Sequence, residues 1–105
     1  MTAYVIADIE VLDEALMHEY VRAAEGLIER YGGRPLARSS TPLPQEGNWQ
    51  PKTLVLLEFP NEEVAIALYN SPEYQALKSI RLRATTSNGI VLFSNSGQPM
   101  GQLCS

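Results

Sequence analysis

The chain has one cysteine, one histidine and one tryptophan in 105 residues. The cysteine, Cys104, lies next to the last residue, cannot form an intrachain disulfide, and has no neighbour that would lower its pKa, so it reads as incidental. The histidine, His18, has no second histidine or cysteine with which to build a zinc site, which takes three or four such ligands. A Ser-His-acid triad does not follow from one unplaced histidine either. Basic residues are few: eight Lys and Arg, scattered, against 12 acids, for a net charge of −4. Phosphate-backbone binding needs concentrated positive charge, so no nucleic-acid partner is expected. No apolar stretch approaches the roughly 20 residues of a membrane span, so no membrane partner is expected. The acidic opening MTAYVIADIE lacks the character of a secretory signal, which makes a cytoplasmic location the expectation. Nucleotide, phosphate and zinc-protease motifs are absent, and no cofactor or metal is expected. Gly32-Gly33 follows a helical pattern rather than opening one, which makes it a cap and not a phosphate cradle.

What remains is a globular composition, 45% hydrophobic and 19% charged, with neither internal repeat nor linker. The expected organisation is a single α+β domain over residues 1–95 and a loosely held tail over 96–105. Residues 3–11 alternate as a strand, with Ala3, Val5, Ala7, Ile9 and Val11 on one face and Tyr4, Ile6, Asp8 and Glu10 on the other. Asp13 caps a helix to about Tyr31, whose apolar stripe runs through Met17, Tyr20, Val21, Ala24, Leu27, Ile28 and Tyr31. Residues 34–40 form a second strand, and Pro35 places it at a sheet edge. Three prolines and a glycine make 41–51 a loop. Thr53 to Phe59 is a buried strand.

A helical layer over 61–84 follows, capped by Asn61 and restarted at Ser71-Pro72-Glu73. Asn88-Gly89 is expected to turn the chain into a last strand, 89–94. The order β-α-β-β-α-β predicts a ferredoxin-like, four-stranded antiparallel sheet with helices on one face. The central strands are apolar on both faces, and two helical layers cover only one. An apolar face left in water is rare, so a second copy is the expected cover, giving a homodimer joined sheet to sheet.

Four segments occur in order: Tyr31-Gly32-Gly33-Arg34 with Ala37-Arg38, Glu46-Gly47-Asn48-Trp49 with Pro51, Glu58-Phe59-Pro60, and Tyr69-Asn70-Ser71-Pro72-Glu73-Tyr74-Gln75 with Arg81. Together they resemble the small bacterial domain-of-unknown-function family numbered 1330, over about residues 3–95. The resemblance implies membership of the dimeric α+β barrel superfamily, in which two ferredoxin-like sheets pack face to face. It does not imply a reaction, since that superfamily holds oxygenases, isomerases, haem enzymes and non-catalytic members. The sequence departs from the family pattern at Pro35, which replaces an aromatic, at Asn61, which replaces a Ser, and at Leu68, where a Trp is common. Loss of two aromatics implies a reshaped or enlarged pocket.

Centring the hairpin on the 41–51 loop sets Arg34 across from Glu58, Leu36 from Leu56 and Arg38 from Leu54, all on one face. The Arg34–Glu58 pair then ties an edge strand to its neighbour, and Arg38 is left for an anionic ligand. Asp8 is either a third member of this face's site or a solvated carboxylate. Tyr74 and Arg81, seven residues apart, share a helix face with Tyr69 nearby. Two readings are open for them: core tyrosines with a capping arginine, or a pocket rim with hydroxyl and guanidinium turned inward. Trp49 reads as a packing anchor, an interface residue or a lid. His18 lies about 100° round the helix from Met17 and faces water. The expected function is binding of a small, anionic metabolite by Arg38, Glu58, Tyr69, Tyr74, Arg81, Asp8 and Trp49, in a binding module or a cofactor-independent enzyme with Glu58 or Asp8 as general base. The alternative is a non-catalytic dimerising structural or regulatory domain.

Overall fold

The structure is a computed structural model that describes residues 1–95. The tail 96–105 and Cys104 lie outside the described residues. The elements in order are β1 (Ala3–Val11), α1 (Glu14–Arg30), β2 (Arg34–Ser39), β3 (Thr53–Phe59), α2 (Glu62–Asn70), α3 (Pro72–Ala84) and β4 (Thr85–Ser94). The antiparallel sheet runs β2-β3-β1-β4, which puts the two most apolar strands at its centre and the proline-bearing strand at an edge.

Each helix begins where a side chain satisfies an orphan backbone donor. Asp13 Oδ1 accepts from the Leu16 amide at 3.1 Å, Asn61 Oδ1 from Val64 at 2.9 Å, and Ser71 Oγ from Tyr74 at 3.1 Å. Pro72, at the first position of α3, fixes the break between α2 and α3. Gly32 takes φ 76° after α1. Gly33 must be glycine for a different reason: a Cβ there would stand 2.5 Å from the Phe59 ring.

The core lies between the sheet and the helices in two clusters. One gathers Leu27, Phe59, Ala65, Leu68 and Tyr74. The other gathers Ile9, Met17 and Ala84. Phe59 is 1% exposed, and burial of a side chain of that size contributes about 1.5–3 kcal/mol.

Two expectations need correction. Asn88-Gly89 does not turn the chain. The Thr85 hydroxyl donates to the Arg81 carbonyl at 2.9 Å and closes α3, and the β-branched pair Thr85-Thr86 opens β4 directly. Asn88 is the extra residue of a bulge, because Gly89 stands opposite Asp8 and Ser87 opposite Ile9. The second correction concerns β2. Pro35 stands opposite Leu57 but Ala37 opposite Leu56, so Leu36 is bulged out. Proline supplies no ladder donor, and a bulge at a sheet edge accommodates it. Arg38 therefore stands opposite Val55, not Leu54. With a side-chain period of two, that single-residue slip carries Arg38 to the helix-covered face.

Candidate functional site

Sheet and helices do not close completely on each other. Between them lies a cavity of about 550 Å³, within the range of small-molecule sites. The strand register explains its floor. One row runs Arg38, Val55, Ala7, Ile90 across all four strands, and the next runs Pro35, Leu57, Val5, Leu92. All eight side chains line the cavity. At roughly 4.8 Å per strand, the floor is about 14 Å wide. The roof comes from α1 through Met17, Tyr20 and Ala24, from α2 through Leu68 and Tyr69, and from α3 through Tyr74 and Arg81. Small floor residues such as Ala7 leave this space unfilled. Pro35 and Leu68, the positions at which the resemblance implied aromatic residues, both line the cavity.

The more buried polar part of the lining centres on a small cluster of roof residues. Tyr20 Oη and Tyr74 Oη are 2.9 Å apart, and their rings meet edge to face at 6.4 Å. Burial drives the Tyr20 phenol well above its ordinary value near 10; the neighbouring Tyr74 phenol and the hydrogen bond to it add to that shift, while Arg81 acts in the opposite sense. Tyr69 stacks its ring at 5.3 Å from Tyr74 and carries Lys78 Nζ 5.0 Å above its own ring. Arg81 is 4% exposed. Its Nη1 donates to Ser87 Oγ at 2.6 Å, and its Nε has no hydrogen-bond partner. Among the described residues the ion pairs are Arg30–Glu73 and Arg34–Glu58, so no carboxylate pairs with Arg81.

Of the residues singled out in the sequence, Arg38, Tyr69, Tyr74 and Arg81 meet around this cavity. The other three do not, because they occupy the opposite face of the sheet. Glu58 accepts from Arg34 Nε at 2.9 Å and lies away from the cavity. Asp8 is 5% exposed and accepts from Trp49 Nε1 at 2.7 Å and from the Lys52 amide at 3.3 Å. It is neither a solvated carboxylate nor part of the cavity; it fastens the 41–51 loop across the sheet. Trp49 is thereby an anchor on that face, still 56% exposed. A general base from Glu58 or Asp8 is excluded for anything bound in the cavity. The one acid on its lining is Glu25, which is exposed on α1.

Sequence reasoning passed over Tyr20 as a member of the apolar stripe and Ser87 altogether. The signal for Tyr20 was present: a tyrosine within a core stripe must bring its hydroxyl to a partner. Nothing local marks Ser87, whose position depends on the bulge at Asn88. His18 is exposed, and among the described residues no group of His, Cys, Asp and Glu could hold a metal ion. No helix among them is long and apolar enough to cross a membrane.

Solved structures of related shape agree with this architecture. A protein of unknown function from Rhodopseudomonas palustris superposes with a TM-score of 0.69 at 14% identity, over 88% of this chain and 78% of its own. A dimeric protein of unknown function and ferredoxin-like fold from Bacteroides fragilis gives 0.60 at 17% identity, over 90% and 95%. SnoaB, a cofactor-independent oxygenase from Streptomyces nogalater, gives 0.60 at 14% identity, over 94% and 95%. At such identities the likeness shows the fold, which is α+β and ferredoxin-like. No curated protein matches the chain. Residues 2–94 match the family described as Domain of unknown function (DUF1330), and the chain belongs to that family.

Proposed function

We propose that this protein binds a small, largely apolar metabolite in the cavity between sheet and helices. The observation that carries the reading is the cavity itself: about 550 Å³ of space lined mainly by aliphatic and aromatic side chains, with a few buried polar groups among them. A core of this size would ordinarily close to near-crystalline density, so unfilled volume costs stability unless something occupies it. The cavity interior holds no carboxylate or histidine to act as a base, which favours binding over proton-transfer catalysis. SnoaB, named as a cofactor-independent oxygenase, shows that the fold admits catalysis without a cofactor. A thermal-shift screen of metabolites tests the proposal. A true ligand at 100 times its Kd adds about 2.7 kcal/mol of stability, and the cavity-filling variant Ala7→Phe should abolish the shift. If no compound raises the melting temperature, or if Ala7→Phe leaves every shift intact, the cavity is not a binding site.

A second reading rests on the uncovered face. Val91 and Phe93 are 55% and 47% exposed there, beside Tyr4, whose ring lies 5.6 Å from that of Phe93. We propose that a second copy covers this face. The related dimeric protein from Bacteroides fragilis supports this assembly. Self-association and ligand binding use opposite faces of the sheet and are compatible.

A further inference from the structure

Arg81 is the least ordinary residue in the molecule. A guanidinium does not lose its proton in proteins, so burial leaves it charged. A buried charge without a partner is costly, and such residues are nearly always paired. Here the side chain is 4% exposed, one nitrogen is met only by the Ser87 hydroxyl, Nε is met by nothing, and no carboxylate of the described residues is paired with it. The acids that might have served are committed elsewhere, Asp8 to Trp49 and Glu58 to Arg34 on the far face of the sheet. On the same lining stand Tyr20, whose phenol the Arg81 charge reaches, and Tyr74. Their mutual hydrogen bond uses one hydroxyl proton and leaves the other to be donated. The remainder of the lining is mainly apolar, and its other charged or amide side chains, Arg38, Glu25 and Asn70, are exposed.

Resting on the reading of the cavity as a ligand site, we propose that its ligand is a carboxylic acid with an apolar body, bound as the monoanion. The carboxylate serves as the counter-ion of Arg81, accepting from its guanidinium and from the free tyrosine hydroxyl. The body lies between the strand floor and the helix roof. A planar carboxylate matches the guanidinium fork. A phosphate monoester would bring nearly two charges against one buried cation and would leave the excess in an apolar site. This assignment moves the anion site from Arg38, which is exposed at the rim, to the buried end of the cavity.

The test compares three probes of one shape by calorimetry at pH 7: 2-naphthoate, 2-naphthamide and 2-naphthyl phosphate. Naphthoate should bind at least about tenfold more tightly than the amide, the increment of a charge-assisted hydrogen bond, and more tightly than the phosphate. Arg81→Met should bring naphthoate down to the amide's affinity and leave the amide unchanged. The same variant, without ligand, should melt no lower than the wild type, because it removes an unpaired buried charge. If Arg81→Met does not fold, Arg81→Lys serves, and the preference for the acid should shrink by at least threefold. Equal binding of acid and amide, or a preference that survives loss of Arg81, overturns the anion assignment and leaves the cavity reading standing. Tightest binding of the phosphate overturns the carboxylate class. Failure of all three probes to bind overturns the cavity reading together with this one.

Discussion

Tyr20 and Tyr74, 54 residues apart in sequence, bring their hydroxyl oxygens to 2.9 Å inside the helix layer, joining α1 to α3 over the cavity. Burial there raises the Tyr20 pKa well above its unfolded value near 10. The folded state therefore holds the phenolic proton more tightly than the unfolded chain. That contribution is complete below about pH 10 and is lost as the pH rises above it. Absorbance titration at 295 nm should find one phenol that does not ionise until the fold is lost, and Tyr20→Phe should remove it. The same substitution strands the Tyr74 hydroxyl and should cost about 1–3 kcal/mol at neutral pH.

Glu58→Gln should not alter ligand affinity. Glu58 belongs to the face opposite the cavity, where it accepts from an Arg34 side chain that is 69% exposed. Exposed pairs of this kind contribute roughly 0–1 kcal/mol, so urea denaturation should show a loss in that range. A change of tenfold or more in the affinity of any ligand would place the site on the wrong face.

Phe93→Glu should separate the proposed dimer without unfolding the chain. Phe93 is 47% exposed in the single subunit and lies on the uncovered face with Val91. Obligate interfaces commonly bury about 2,000 Å² or more, and a carboxylate buried in one without a partner would be costly. Light scattering at micromolar concentration should report a dimer for the wild type and a monomer for the variant. A wild-type monomer would mean that no second copy covers this face.

The fold was legible because its signals are local. Asp13, Asn61 and Ser71-Pro72 announce helix starts through the amide each side chain can reach, and Pro35 announces an edge through the donor it lacks. The site was legible only by halves. Tyr74 and Arg81 share a helix face by spacing alone, and both reach the cavity. The face of Arg38 depends on a register that the bulge at Leu36 alters, whereas Glu58 and Asp8 keep the face that alternation gives them; no local pattern distinguishes a bulged strand from a regular one. Centring the hairpin on its loop assumed equal strand lengths, which placed Arg38 with Glu58 when one residue more on β2 sends it to the other side. The cavity was invisible for a further reason. Floor residues such as Ala7 and Val5 alternate like any core residues, and only the separation of the two layers decides whether they touch the roof or leave a space.

The central claim, that the space between sheet and helices is a ligand site, is tested most directly by ¹H–¹⁵N correlation spectra recorded during titration with 2-naphthoate. Saturable shifts should appear at Val5, Ala7, Val55, Leu57, Tyr74 and Arg81, on floor and roof together, with Glu58, Val91 and Phe93 changing least. Shifts centred on Val91 and Phe93, or none that saturate, would contradict the account.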